Sequence, residues 1–215
     1  MLTVAGLTYR RHKRVLFKQL NFQLVQGQIL HIVGSNGSGK TTLLELLTGL
    51  RRPLTGEVMW KGIPIKKNNV NFTEALLYIN HRLGMKSALN SIENLYLELI
   101  RRNLIDAQSK QKVFHAIYRI LEQVNLKNCA ETIVAQLSLG QQRRLSLARL
   151  LLIEADCWIL DEPFTSLDKQ GIKLLASLME KQSERGGIII FTSHPFACSL
   201  KREIKKIFLD NNDAK

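Results

Sequence analysis

Apolar and polar positions alternate at the start of the chain and then give way to unbroken apolar runs. Thr3–Tyr9 and the stretch around Phe17–Leu24 read as strands separated by turn residues. Gly27 breaks the chain before Gln28–Val33, which reads as a buried strand. Ala75–Ile79, Cys157–Leu160 and Gly187–Phe191 are further stretches of strand length. Runs that lose their alternation suit central strands of a parallel sheet covered on both faces. Helical stretches lie between them, so the order is α/β.

The middle of the chain changes period. Ile92, Leu95, Tyr96 and Leu99 recur at helical spacing and predict a helix over Ser91–Arg102. Asn90 and Glu93 predict a capping box at its start. Val113, Ile117, Ile120, Leu121 and Val124 mark one face of a second helix. Roughly 84–136 therefore reads as helical and interrupts the α/β pattern. At 215 residues the chain fits one compact domain. Its core would be 1–83 and 141–215, with N-terminal strands, and 84–140 would be an inserted helical lobe.

Composition narrows the classes. Hydrophobic residues make up 45% of the chain, enough for a sizeable core, and only the polar tail 211–215 is expected to be disordered. No apolar run reaches the roughly 20 residues of a spanning helix, and the first residues lack a signal-peptide pattern. The expectation is a cytoplasmic protein unless a partner holds it elsewhere. Cys129, Cys157 and Cys198 are scattered and read as reduced thiols. The net charge is +13, but its pairs, such as Arg10-Arg11, Lys66-Lys67 and Lys205-Lys206, are dispersed. That fits a solvated basic surface or one facing anionic lipid. It argues against nucleic acid, because no aromatic-rich RNA-binding pattern accompanies the charge.

Chemistry concentrates after the Gln28–Val33 strand. Gly34-Ser35-Asn36-Gly37-Ser38-Gly39-Lys40-Thr41 fits G-x-x-x-x-G-K-[ST]. Glycines let the backbone curl so that successive N–H groups face phosphate oxygens. Lys40 can place its ammonium between the β- and γ-phosphates, the Thr41 hydroxyl can ligate Mg²⁺, and Thr42 joins the cradle. The helix running from Gly39 to about Leu50 turns its positive end to the same anion. The competing reading, a glycine turn with an exposed lysine, does not explain the strand before it and the helix after it.

Cys157–Leu160 ends in two acids. Asp161 would hold Mg²⁺ and Glu162 would polarise an attacking water. Pro163 stops the strand. His194 closes the Gly187–Phe191 strand at the same sheet edge, within reach of a γ-phosphate.

Leu137-Ser138-Leu139-Gly140-Gln141-Gln142 resembles the LSGGQ signature of the ABC ATPase family, and Arg143–Arg149 resembles the start of its signature helix. With the glycine loop and acidic strand, the resemblance covers nearly the whole chain. It implies the P-loop ABC ATPase fold: a central, mostly parallel sheet, N-terminal antiparallel strands and a helical lobe. It implies ATP hydrolysis with Mg²⁺ by a homodimer, each ATP lying between the glycine loop of one copy and the signature of the other. Ser138, Gly140 and Gln141, at a helix start, would then meet phosphate. Asp168 would belong to the D-loop, His194 would be the switch histidine, and Tyr9 is the nearest aromatic for stacking adenine. Two positions depart from the family: His81 stands where Gln is usual, near the metal's water, and Leu139 replaces a glycine.

The run Asn80–Leu95, the Gly140–Arg144 stretch and Trp158–Thr165 are similar to the branch of the family serving bacterial cytochrome c maturation. That resemblance implies a peripheral subunit on the cytoplasmic face of the inner membrane. Its partners would be integral membrane subunits of the CcmB and CcmC kind, with ATP hydrolysis releasing the haem-loaded chaperone CcmE. Met85 and Leu89 are the expected docking residues. The alternatives are the ATPase of another ABC transporter, or a soluble ABC protein acting on nucleic acid or ribosomes.

Overall fold

The structure, a computed structural model, describes residues 1–65, 70–105, 110–193 and 200–209. The tail 211–215, His194, Cys198 and the Lys66-Lys67 pair lie outside the described residues. In chain order the strands are β1 (Leu2–Arg11), β2 (Arg14–Leu24), β3 (Ile29–Val33), β4 (Thr55–Trp60), β5 (Ile63–Pro64), β6 (Leu76–Ile79), β7 (Cys157–Leu160), β8 (Ile188–Thr192) and β9 (Ile204–Phe208). The helices are α1 (Lys40–Leu47), α2 (Val70–Ala75), α3 (Ser91–Arg101), α4 (Lys110–Gln123), α5 (Leu139–Leu152) and α6 (Lys169–Glu184). The chain divides into two compact units. One comprises Met1–Tyr78, Ala155–Pro163 and Met179–Lys215; the other comprises Ile79–Glu154 and Phe164–Leu178.

Two sheets make the first unit. The order β2-β1-β4-β5 is antiparallel, and β6-β7-β8-β3-β9 carries parallel pairs at β7/β8, β8/β3 and β3/β9. Strands β3, β7 and β8 are the ones whose sequence lost alternation, and all but Val33 of their residues are buried. On one face Leu30, Ile32, Cys157, Ile159, Ile188 and Ile190 join Leu2, Leu7, Phe17, Trp60 and Phe72 in one apolar cluster. Helix α1 contributes Leu43, Leu44, Leu46 and Leu47 to the same cluster. The helix that follows the glycine loop is thus fixed by its apolar side, which anchors the loop. It ends at Leu47, earlier than the sequence pattern suggested, because Thr48 closes the last turn and Gly49 follows at φ 75°.

Strands β4 and β9 escape a reading by pattern. Three of the six β4 residues are exposed, and β9 holds Lys205 and Lys206 at a sheet edge. At Gly56 a Cβ would collide with the Gly6 carbonyl, so β4 approaches β1 closely where the β1 register shifts.

The second unit is helical. Helices α3, α4 and α5 bury Ile92, Leu95, Leu99, Ile117, Leu121 and Leu145, and the Tyr96 and Phe114 rings stack at 5.1 Å. Asn90 accepts from the Glu93 N–H, and the Glu93 carboxylate accepts from the Asn90 N–H, both at 2.8 Å. The expected capping box is therefore present, and the helix begins where the pattern puts it. Helix α5 and the segment 164–178 group with this unit, so it is wider than 84–140.

Replacing Asn90 by Ala should lower the local stability of α3 by about 1 kcal/mol. Amide hydrogen exchange should show faster exchange in α3 and unchanged protection in β3, β7 and β8; equal loss in both units would contradict the local role.

Candidate functional site

Strands β3, β7 and β8 end at one edge of the parallel sheet. Leu160 pairs with Phe191 and Ile32 pairs with Thr192, so the glycine loop, Asp161 and Thr192 arrive together. The loop turns through Gly37 at φ 82° and Gly39 at φ 104°. Side chains rarely adopt such angles, and a Cβ on Gly39 would also press on Leu16 at 3.2 Å. Ser38 N–H donates to the Ser35 carbonyl at 3.2 Å, while Ser35, Asn36 and Gly37 are exposed at the rim. Gly39 caps α1 without a side-chain hydrogen bond, and no acid stands in the first turn. The positive helix end is thus suited to an anion.

Lys40 is buried, and its Nζ donates to the Gly34 carbonyl at 2.8 Å and the Ser35 carbonyl at 3.0 Å. The loop's own carbonyls hold the ammonium inside the loop. Phosphate oxygens offer it stronger, charge-assisted bonds.

Asp161 is 2% exposed. A buried carboxylate is tolerable only when its oxygens are satisfied. Thr192 Oγ1 donates to Oδ1 at 2.7 Å and Thr41 Oγ1 donates to Oδ2 at 2.9 Å. Thr192 Oγ1 in turn accepts the Glu162 N–H at 2.9 Å. One hydroxyl therefore ties the two acids to β8. Burial, then the Asp161 and Glu45 carboxylates, push the Tyr78 phenol well above its ordinary value, so it stays a neutral hydroxyl. Glu162 sits at φ 48°. A left-handed backbone at a non-glycine residue costs about 1 kcal/mol or more and tends to persist at functional positions. Thr41 Oγ1 and the Asp161 carboxylate are hard oxygen donors of the kind Mg²⁺ takes. Mg²⁺ is commonly held by one or two carboxylates plus substrate phosphate, so a site this sparse fits it. Among the described residues no cluster of three or more His, Cys, Asp or Glu side chains stands ready for another metal.

Beside the loop an open pocket of about 310 Å³ is lined by Tyr9, Arg11, Thr41, Thr42, Glu45 and Arg51. Tyr9, singled out from sequence only as the nearest aromatic, therefore shares a pocket with the phosphate-loop threonines.

The remaining expected residues belong to the second unit. Ser138 caps α5: its Oγ accepts the Gln141 N–H at 3.2 Å, and Gln141 Oε1 accepts the Ser138 N–H at 2.8 Å. One of the donors expected to meet phosphate, the Gln141 N–H, is thus engaged, and an incoming anion would have to compete with the Ser138 hydroxyl oxygen for it. Gly140 packs closely, since a Cβ there would stand 3.2 Å from the Ser166 carbonyl. Leu139 takes ordinary helical backbone as the first residue of α5 and is 72% exposed. Asp168 accepts two bonds from Arg144 Nη2, at 2.6 and 2.7 Å, and one from the Gly171 N–H at 2.9 Å. The Gly171 bond first and Arg144 second hold its carboxyl below the usual value. His81 is exposed on the turn after β6.

Thr192 and Tyr78 escaped the sequence reading. Thr192 could have been found from register, since a threonine ending the apolar run at 188–191 aligns with the acid ending the run at 157–160. Tyr78 carries no comparable signal.

A family model described as ABC transporter matches residues 17–165. The chain is 43% identical over 209 residues to the cytochrome c biogenesis ATP-binding export protein CcmA of Vibrio vulnificus strain YJ016, covering 97% of this chain and 99% of that protein. Against CcmA of Escherichia coli O157:H7 identity is 42% over 214 residues, covering 100% and 99%. Among solved structures, the ATP-binding cassette MJ0796, dimeric in a post-hydrolysis state with ADP and Pi, aligns with a TM-score of 0.77 at 25% identity, covering 90% of this chain and 88% of that one. A putative ABC transporter ATP-binding protein from Pyrococcus furiosus shares the fold, with a TM-score of 0.77 at 23% identity over 97% and 96% of the chains.

Thr192→Val keeps the shape but strips a partner from Asp161 Oδ1 and from the Glu162 N–H. It should cost about 1–3 kcal/mol in urea unfolding, whereas Thr192→Ser should retain most of the stability; a stable Thr192→Val beside a destabilised Thr192→Ser would point to packing of the methyl group instead.

Proposed function

The chain belongs to the ABC transporter family, with the CcmA proteins as close relatives, and on that premise we propose that it is the ATP-hydrolysing subunit of a membrane complex for cytochrome c biogenesis. The full-length likeness to CcmA carries this reading. The Thr41–Asp161–Thr192 clasp beside the glycine loop supplies the chemistry it needs.

In the proposed site the loop N–H groups, Lys40 and the N-terminus of α1 bind the phosphates, Tyr9 stacks the base, and Thr41 and Asp161 hold Mg²⁺. The metal would offset phosphate charge and polarise the γ-phosphate. Glu162 orients and polarises the water that attacks phosphorus, and His194, outside the described residues, contacts the γ-phosphate. His81, where the family usually has Gln, would be a further residue for the metal side of the site. Ser138, Gly140 and Gln141 act on the nucleotide held by a second copy, with Asp168 at the same dimer face. A C₂ pair then makes two complete sites from half-sites.

The partners would be integral membrane subunits of the CcmB and CcmC kind, with CcmE released by the cycle, and the chain would lie on the cytoplasmic face of the inner membrane. Among the described residues no helix is long and apolar enough to cross a membrane, so attachment would come through those partners. The helical unit offers a groove lined by Met85, Leu95, Leu97, Glu98, Leu145 and Arg149. Leu89, the other expected docking residue, is not among its lining residues. Burial would raise the Glu98 carboxyl, but Arg149 at 3.1 Å and Arg102 at 3.2 Å hold it below the usual value, so the groove, which Lys86, Asn94 and Arg101 also line, carries fixed charge.

Glu162→Gln should bind ATP, lose turnover by at least about a hundredfold and accumulate an ATP-bound dimer in sedimentation; sustained hydrolysis would remove Glu162 from the water-activating role. Met85→Glu should abolish co-purification with the membrane subunits while leaving ATP binding intact. Recovery of the complex from that variant would move the docking site elsewhere.

A further inference from the structure

We propose that Arg51 is a positioning residue for the nucleotide base, tying the Tyr9 platform to the helix that begins at the phosphate loop. The inference rests on the reading of Tyr9 as the base platform and adds a residue to it. Arg51 lies beyond the end of α1 and folds back on it: its N–H donates to the Glu45 carbonyl at 3.1 Å. Its Nε donates to Glu45 Oε2 at 2.7 Å, and its Nη1 donates to the Tyr9 hydroxyl at 2.8 Å. A single guanidinium thereby bridges a carboxylate on α1 and a phenol on β1. Its planar fork holds both bonds in fixed geometry, which a lysine ammonium does not.

The position of the bridge matters as much as its bonds. The guanidinium carbon stands 5.6 Å from the centre of the Tyr9 ring while a nitrogen grips the hydroxyl. That is within reach of a cation–π contact, so Arg51 holds the ring over its face as well as by its hydroxyl. Phe17, with its ring centre 6.2 Å away and tilted by 30°, braces the same ring. Tyr9, Arg51 and Glu45 line one pocket with Thr41 and Thr42. Arg51 thus links the base platform to α1 before any nucleotide arrives.

Arg51 is 45% exposed, so its ion pair with Glu45 adds little to folding stability. Its effect lies in preorganisation: a ring already held in place loses less freedom when a base stacks on it. That effect needs a ligand with both a base and phosphates. A direct phosphate contact by Arg51 would act on the phosphates alone, and this difference separates the two roles.

The test compares dissociation constants of Mg·ATP and Mg·tripolyphosphate on the full chain by titration calorimetry. Arg51→Met should weaken ATP binding about three- to tenfold and leave tripolyphosphate binding unchanged. Tyr9→Phe, which keeps the ring and loses only the hydroxyl, should weaken ATP binding by no more than that and spare tripolyphosphate, and the double variant should be no worse than Arg51→Met. Tyr9→Ala should weaken ATP more than Tyr9→Phe does. Equal weakening of ATP and tripolyphosphate in Arg51→Met would overturn the proposal in favour of a phosphate contact. Unchanged ATP affinity in Arg51→Met and Tyr9→Phe, with loss in Tyr9→Ala, would overturn the tie and leave the platform standing. Unchanged affinity in Tyr9→Ala would overturn both.

Discussion

Concentrated phosphate charge is held firmly only by donors and dipoles that are in place beforehand, because gathering them at the moment of binding costs ordering entropy. In this chain the prearrangement starts in the apolar core. Leu43, Leu44, Leu46 and Leu47 seat α1 against both sheets of the first unit, and the glycine loop is stretched between that helix and the buried strand β3. Lys40 rests on the loop's own carbonyls, and Asp161 rests on two hydroxyls drawn from the start of α1 and the end of β8. Neither charge is left bare. Both are held by neutral groups that an ATP phosphate or a cation can displace with a net electrostatic gain.

The same economy appears in the helical unit. Ser138 and Gln141 cap each other at the start of α5, so the signature end is closed by two modest hydrogen bonds rather than by a charge. Asp168 is fixed by Arg144 and by the Gly171 N–H. The first unit carries the phosphate loop, the buried acid and the base pocket; the second carries the signature and Asp168. In the proposed dimer the first unit of one copy would hold the nucleotide and the second unit of the other would complete the site.

What was legible in the sequence follows from how local each feature is. The glycine loop, the acid pair after β7, the α3 capping box and the signature are each written within a few consecutive residues, so spacing finds the first three and family resemblance finds the signature. The apolar runs of β3, β7 and β8 are legible because burial on both faces removes polar positions. Strands β4 and β9 were not, because edge and exposure leave Glu57 or Lys205-Lys206 inside them. The Thr192–Asp161 and Arg51–Tyr9 contacts span 31 and 42 residues, and only register and tertiary packing bring them together. Charge was a poor guide, since the net +13 is spread over the chain and Arg51 is marked by its neighbours rather than by its sign.

In the proposed mechanism each nucleotide site is completed by a second copy. The most direct measurement mixes two inactive chains, one carrying Lys40→Ala and the other Ser138→Arg, and follows ATP turnover of the mixture. If sites are shared, mixed pairs unite an intact phosphate loop with an intact signature, and turnover returns as the two chains are combined. If each copy hydrolyses ATP by itself, the mixture stays as inactive as its parts, and the shared-site account is wrong.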